Sequence, residues 1–248
     1  MSYREKITTA GKIKDVIKYH TSRNTSSKRP RNKNMNPTSE LQKKGNERRS
    51  YESLYYDMSE NFKEDDLYLT CTYGKNMEEP QPKEAKSLFK KAIDKLRYQY
   101  KKVGAVLKYI GVTEHKKGRI HHHLLINNVQ LGIKAIKKVW NLGFTKIQLF
   151  GGEPEDCERL ANYFIKESKN TFNTEDKVHG RRWISSNNLV HPDKTPKIRT
   201  VHASSWKEEP KPIKGYYIAE VKRGHTEHNY PYLFYRMIKI PGSDEDRI

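Results

Sequence analysis

The sequence predicts an α+β fold: a central antiparallel sheet of about five strands with flanking helices. Three observations carry that expectation. Leu67-Tyr68-Leu69-Thr70-Cys71-Thr72-Tyr73 alternates large apolar with hydroxyl-bearing residues, the period of a strand with one buried face. From Pro82 onward, Ala85, Leu88, Phe89, Ala92, Ile93, Leu96, Tyr100 and Val103 keep the i, i+3, i+4, i+7 spacing of an amphipathic helix. Two strand-like runs, Tyr109 to His115 and His121 to Asn127, are then joined by Lys116-Lys117-Gly118, a hairpin signal that makes the pairing antiparallel.

Taken in order, residues 1–20 read as a short helix, with Ile7, Ala10, Ile13 and Ile17 at roughly helical spacing. Between Ser22 and Ser50 only Met35 and Leu41 are large and apolar, and nine residues are Lys or Arg. Such a segment buries too little surface to offset its chain entropy. Residues 1–60 are therefore expected as a basic, largely flexible N-terminal arm, 61–200 as the folded domain, and 201–248 as a C-terminal extension whose strands add to the core. Within the domain, Leu131 to Trp140 reads as a second helix and Phe144 to Phe150 as a strand stopped by Gly151-Gly152. Pro154 opens a third helix that runs to about Lys169. Arg181 to Ile184, Tyr216 to Val221 and Tyr232 to Ile240 read as short strands.

Composition narrows the function. Across 248 residues the formal net charge is +19, which favours a polyanionic partner through phosphate contacts and counterion release. Residues 1–50 hold 14 basic and 4 acidic side chains, so the arm is a candidate nonspecific DNA tether. Cys71 and Cys157 form no CxxC pair, which argues against a zinc knuckle or a disulfide framework and for a reducing, cytoplasmic location. No run is long enough to span a membrane, and no apolar signal core opens the chain.

The chemistry-bearing stretch is Arg119-Ile120-His121-His122-His123-Leu124-Leu125. On a strand, His121 and His123 share one face and His122 takes the other. Two imidazoles offered side by side suit a borderline metal, but a third ligand is needed. Antiparallel pairing brings Glu114 or His115 beside them, and Glu114 is preferred because a carboxylate suits a phosphate-bound Mg or Mn ion.

With Tyr163-Phe164-Ile165-Lys166 added to Leu67–Tyr73 and His121-His122-His123, the chain resembles rolling-circle replication initiators of the HUH endonuclease superfamily. Leu67–Tyr73 resembles the family's first motif, the histidines its His-hydrophobic-His motif, and Tyr163 with Lys166 its catalytic Tyr-x-x-Lys. The likeness spans roughly residues 65–170 and departs from the pattern at His122, where a bulky hydrophobic residue is usual. Tyr-x-x-Lys alone is unspecific, since Tyr3 with Lys6 and Tyr98 with Lys101 satisfy it too. Order and context select Tyr163, which follows the histidines on a predicted helix.

The resemblance implies that Tyr163 attacks the scissile phosphorus of single-stranded DNA, giving a 5′-phosphotyrosine that can later be resealed. Lys166 would stabilise the developing charge, while His121, His123 and Glu114 would hold Mn or Mg. Arg119, Arg181, Arg182 and Trp183 are expected to bind DNA by gripping phosphates and stacking a base. The implied partners are single-stranded or hairpin origin DNA with a host helicase and polymerase; no membrane is implied, and the oligomeric state stays open. Other readings remain: a relaxase using Tyr3 or Tyr19, a transposase of the same superfamily, or a noncatalytic basic DNA- or RNA-binding module. A His122→Leu change is expected to be tolerated.

Overall fold

The computed structural model describes residues 3–20, 40–114, 119–129, 131–172, 179, 181–202, 209–226 and 229–243. Among these residues the fold is α+β, with two antiparallel five-stranded sheets and four α-helices. The chain divides into two units, Asp57–Val190 and a second made of Met1–Tyr56 with His191–Ile248.

Asp57–Val190 is built on the sheet the sequence predicts. To keep one numbering along the chain, its elements are β3 (Leu67–Tyr73), α2 (Pro82–Lys102), β4 (Tyr109–Glu114), β5 (His121–Ile126), α3 (Ile133–Val139), β6 (Gly143–Leu149), α4 (Pro154–Phe172) and β7 (Ile184–Ser185). The strand order is β6-β3-β5-β4-β7. Alternation in β3 sends Leu67, Leu69, Cys71 and Tyr73 to a buried face, where they meet Phe89, Ile93, Leu96 and Tyr100 of α2 and Ile136, Val139 and Trp140 beside α3. Each of these side chains removes apolar surface from water, so this layer is the main store of stability in the unit. Helix α4 packs against β4, with Cys157, Ala161 and Phe164 buried along its stripe. Gly152 (φ +74°) makes the turn that launches α4. A Cβ there would collide with the Glu64 backbone nitrogen, so only glycine lets the chain turn where Tyr163 must be aimed.

The other unit departs from expectation. The helix predicted over residues 1–20 is a hairpin, β1 (Tyr3–Ala10) and β2 (Ile13–His20). Gly11 (φ +53°) closes it in two residues, a turn that a helical reading of Ile7, Ala10, Ile13 and Ile17 passes over. Helix α1 (Glu40–Asn61) occupies the end of the segment expected as a flexible arm, while residues 21–39 lie outside the described residues. The C-terminal strands β8 (Lys197–Val201), β9 (Tyr216–His225) and β10 (Pro231–Lys239) do form. They do not extend the core sheet; they join β1 and β2 in a separate one, ordered β8-β1-β2-β10-β9. A boundary at residue 60 followed by one at 200 therefore misses the pairing of the two ends of the chain.

Inside this sheet charges are buried and paired. Asp15, 4% exposed, receives two hydrogen bonds of 2.8 Å from the Arg236 guanidinium and one of 2.8 Å from the Tyr56 hydroxyl. Glu5 is buried and held by Arg199 at 2.6 Å and Lys18 at 3.6 Å. The Arg236 guanidinium also lies over the Tyr55 ring.

Candidate active site

The register of three strands composes the site. His121 lies opposite Thr72 of β3 and Glu114 of β4, and His123 opposite Thr70 and Val112. Side chains alternate across a strand, so Tyr68, Thr70, Thr72, Glu114, His121 and His123 share one face of the sheet. Tyr163 reaches that face from α4. Its hydroxyl stands 3.2 Å from Glu114 Oε2 and 3.1 Å from His123 Nε2. Those two acceptor atoms are themselves 3.3 Å apart. The His121 ring centroid lies 6.5 Å from that of His123. Lys166 is exposed, three residues beyond Tyr163 on the same helix. His115, the alternative third ligand, lies outside the described residues.

Residues that the sequence reading did not single out support these groups. The Tyr68 hydroxyl is 2.8 Å from His123 Nδ1, and Thr70 Oγ1 is 3.4 Å from it. A hydroxyl can donate to a bare Nδ1 or accept from a protonated one, so Tyr68 steadies the ring in either tautomer. Burial raises Tyr68 to about 12, which keeps that hydroxyl protonated. Glu167, buried on α4, hydrogen-bonds Glu114. Its position four residues after Tyr163 was the available signal, because i and i+4 share a helix face. Tyr68 was legible by parity, sharing the alternation of Thr70.

Burial and neighbouring carboxylates set the protonation states. Burial first, then Glu114, Tyr68 and Glu167, push Tyr163 well above the usual phenol range. Burial also tends to raise Glu114, but hydrogen bonds from His123 and Glu167 outweigh it and hold the carboxyl below its ordinary value. His123 is lowered, mainly by burial, against the opposing pull of Glu114. The consistent state is a neutral imidazole beside an ionised Glu114 and a protonated Tyr163.

The donors are right in kind for Mn or Mg, an imidazole-carboxylate set on one sheet face. Among the described residues no three His, Cys, Asp or Glu side chains are gathered closely enough to hold an ion as they stand. Glu114 and His123 are in contact, and His121 is the neighbour that would complete the set.

His122 faces the other way and is fully buried. Tyr73 Oη is 2.9 Å from its Nε2 and Thr113 Oγ1 is 2.9 Å from its Nδ1. Thr113 Oγ1 is also 2.9 Å from His179 Nε2. Phe89 stacks on the His122 ring at 4.2 Å. Burial drives the His122 pKa far down and holds His179 at about 4, so both rings are neutral at pH 7. This chain of hydroxyls and imidazoles reverses the expectation that His122→Leu is tolerated. Leucine would take the imidazole from the Tyr73 hydroxyl and leave Thr113 with His179 alone, at a cost of about 1–3 kcal/mol for a buried group left unpaired. Urea unfolding should show a lower midpoint for His122→Leu, and an unchanged midpoint would remove the network from the account.

The remaining candidates are spread around this face. Arg119 is half-buried and its guanidinium donates to the Met77 carbonyl, while the neighbouring Ile120 amide donates to Glu79 Oε1 at 2.7 Å. Arg181 is exposed, and Arg182 and Trp183 are half-buried just ahead of β7. Strand β7 pairs with β4 at the sheet edge.

Residues 66–172 match the model of a family described as Replication-associated protein, of the ORF2 type. The matched span runs from the start of β3 to the end of α4 and holds every residue that the Tyr163 cluster uses. It supports a replication initiator protein, with DNA replication as the process. No curated protein and no solved structure matches the chain. No helix among the described residues is long and apolar enough to cross a membrane.

Proposed function

We propose that the protein is a rolling-circle initiator of the HUH type that nicks single-stranded origin DNA, with Tyr163 as nucleophile. The observation that carries this reading is the meeting of the Tyr163 hydroxyl with Glu114 Oε2 and His123 Nε2, at 3.2 and 3.1 Å. A hydroxyl placed on a carboxylate and an imidazole by two separate elements has a proton acceptor within reach and a fixed line of attack.

Tyr163 Oη forms a bond to the scissile phosphorus as the bond from phosphorus to the 3′ oxygen breaks. The tyrosyl proton leaves along the hydrogen bond to Glu114 Oε2, and the departing 3′ oxygen takes up a proton to become a free hydroxyl. A bound Mn or Mg ion supplies Lewis-acid polarisation of a nonbridging phosphate oxygen, and its charge offsets the carboxylates that otherwise hold the phenol protonated. His121, His123 and Glu114 are the residues that would hold it. Tyr68 keeps the His123 ring turned toward the site, and Lys166 adds positive charge one helical turn from Tyr163. Because the phosphotyrosine conserves the phosphodiester bond energy, the 3′ hydroxyl can attack it and reseal the strand without ATP.

The test is incubation with a labelled single-stranded DNA library and Mn, denaturation, and mapping of the adduct. The nucleotide is expected on the peptide from Leu160 to Lys166. His121→Ala and His123→Ala should each lose the adduct while binding DNA nearly as well as the parent, and Mn should serve at least as well as Mg. Adduct formation that survives EDTA would remove the metal, and an adduct on Tyr3, Tyr19 or Tyr98 would move the nucleophile.

A further inference from the structure

Strand β6 lies at the edge of the catalytic sheet and carries a side chain the core does not use. Phe144 is 64% exposed, although Thr145 beside it is buried and Ile147 packs against the core. A large apolar residue left open on an edge strand invites association and adds nothing to stability. Its location supplies a reason. Phe144 pairs with Thr72, Thr72 with His121, and His121 with Glu114. The four residues form one row across the face that bears Tyr163, and β6 is two strand spacings, or about 10 Å, from β5. Lys146, also exposed, shares the Phe144 face and pairs with Thr70 in the row that holds His123. Since α4 packs against β4 on the far side of β5, the part of this face that ends in Phe144 is open to solvent.

We infer that Phe144 is a stacking platform for a base of single-stranded DNA, with Lys146 on the adjoining phosphate, so that the strand enters the site across β6 and β3 toward Tyr163. The inference rests on the function proposed above for what happens to the strand, and adds how the strand is held. An aromatic face with a cation beside it is the arrangement that single strands prefer, because a base in a duplex has both faces already stacked. Lys146 and the +19 charge of the chain match the polyanion. The Thr70 and Thr72 hydroxyls lie between the platform and the histidines, where a sugar-phosphate backbone can hydrogen-bond to them.

The experiment uses full-length Tyr163→Phe protein in EDTA, so binding is read without cleavage. The probes are fluorescein-labelled oligothymidylate and a blunt duplex, followed by anisotropy. Adding Phe144→Ala should raise the single-strand Kd roughly 5- to 150-fold and leave duplex binding within about twofold. Phe144→Trp should retain affinity, and its indole emission should be quenched on adding oligothymidylate. Lys146→Ala should lower the slope of log affinity against log salt by about 0.7, the share of one phosphate on a single strand. Unchanged single-strand affinity in Phe144→Ala, or an equal loss on duplex, overturns the inference. Because no step needs an adduct, this result and the fate of the Tyr163 nucleophile are decided separately.

Discussion

Tyr163→Phe protein given a cleavable origin strand and Mn is expected to form no denaturation-resistant adduct, while binding the strand within about twofold of the parent. The change removes one oxygen. That oxygen is the only atom of the side chain able to bond phosphorus, so the loss should be on the order of the 10⁶-fold seen when an enzyme nucleophile is deleted. The half-buried ring keeps its edge-on contact with His123 and its neighbour Phe164, so the fold should lose only about 1 kcal/mol for the hydrogen bonds to Glu114 and His123. Lys166→Ala should behave differently: it retains the nucleophile and slows the reaction, because an exposed cation tunes charge and supplies no bond. Gel mobility after denaturation and a single-turnover time course separate the two outcomes. An adduct that persists in Tyr163→Phe would mean that another residue attacks.

The catalytic sheet was legible because its signals are local. The alternation in Leu67–Tyr73, the helical stripe from Ala85 to Tyr100 and the parity of the three histidines each need only a few neighbouring residues. Parity also separated His121 and His123 from His122, which the structure buries against Phe89 and Trp140. The support around the site was harder to see. Tyr68 reaches His123 only because β3 and β5 pair with Thr70 opposite His123, a register that no short window contains. Glu167 read as one more charged helix residue, and its burial depends on α4 lying against the sheet. Most obscure was the second sheet. Its hairpin, β1 with β2, finds partners in β8 and β10, strands near the other end of the chain. Local composition there is basic and polar, which is what flexible arms also look like.

That long-range sheet makes the largest stability prediction, centred on Asp15 and Arg236. They lie 221 residues apart in sequence yet share two 2.8 Å hydrogen bonds. Their side chains are 4% and 11% exposed. Replacing Arg236 with Met would leave a buried carboxylate with the Tyr56 hydroxyl still on it and no compensating charge. Breaking a buried pair from one side costs about 3–5 kcal/mol, a large fraction of what holds an ordinary domain together. Hydrogen exchange read by mass spectrometry should then show faster exchange in peptides covering Ile13–His20 and Pro231–Lys239, the two strands the pair joins. Adding Asp15→Asn to Arg236→Met should restore most of the protection, because it removes the stranded charge while leaving an acceptor for Tyr56. Loss in the single variant with recovery in the double identifies charge burial as the cause. Loss in both would assign the effect to packing of the arginine stem over Tyr55, and unchanged exchange in Arg236→Met would show that the pair contributes nothing to the sheet.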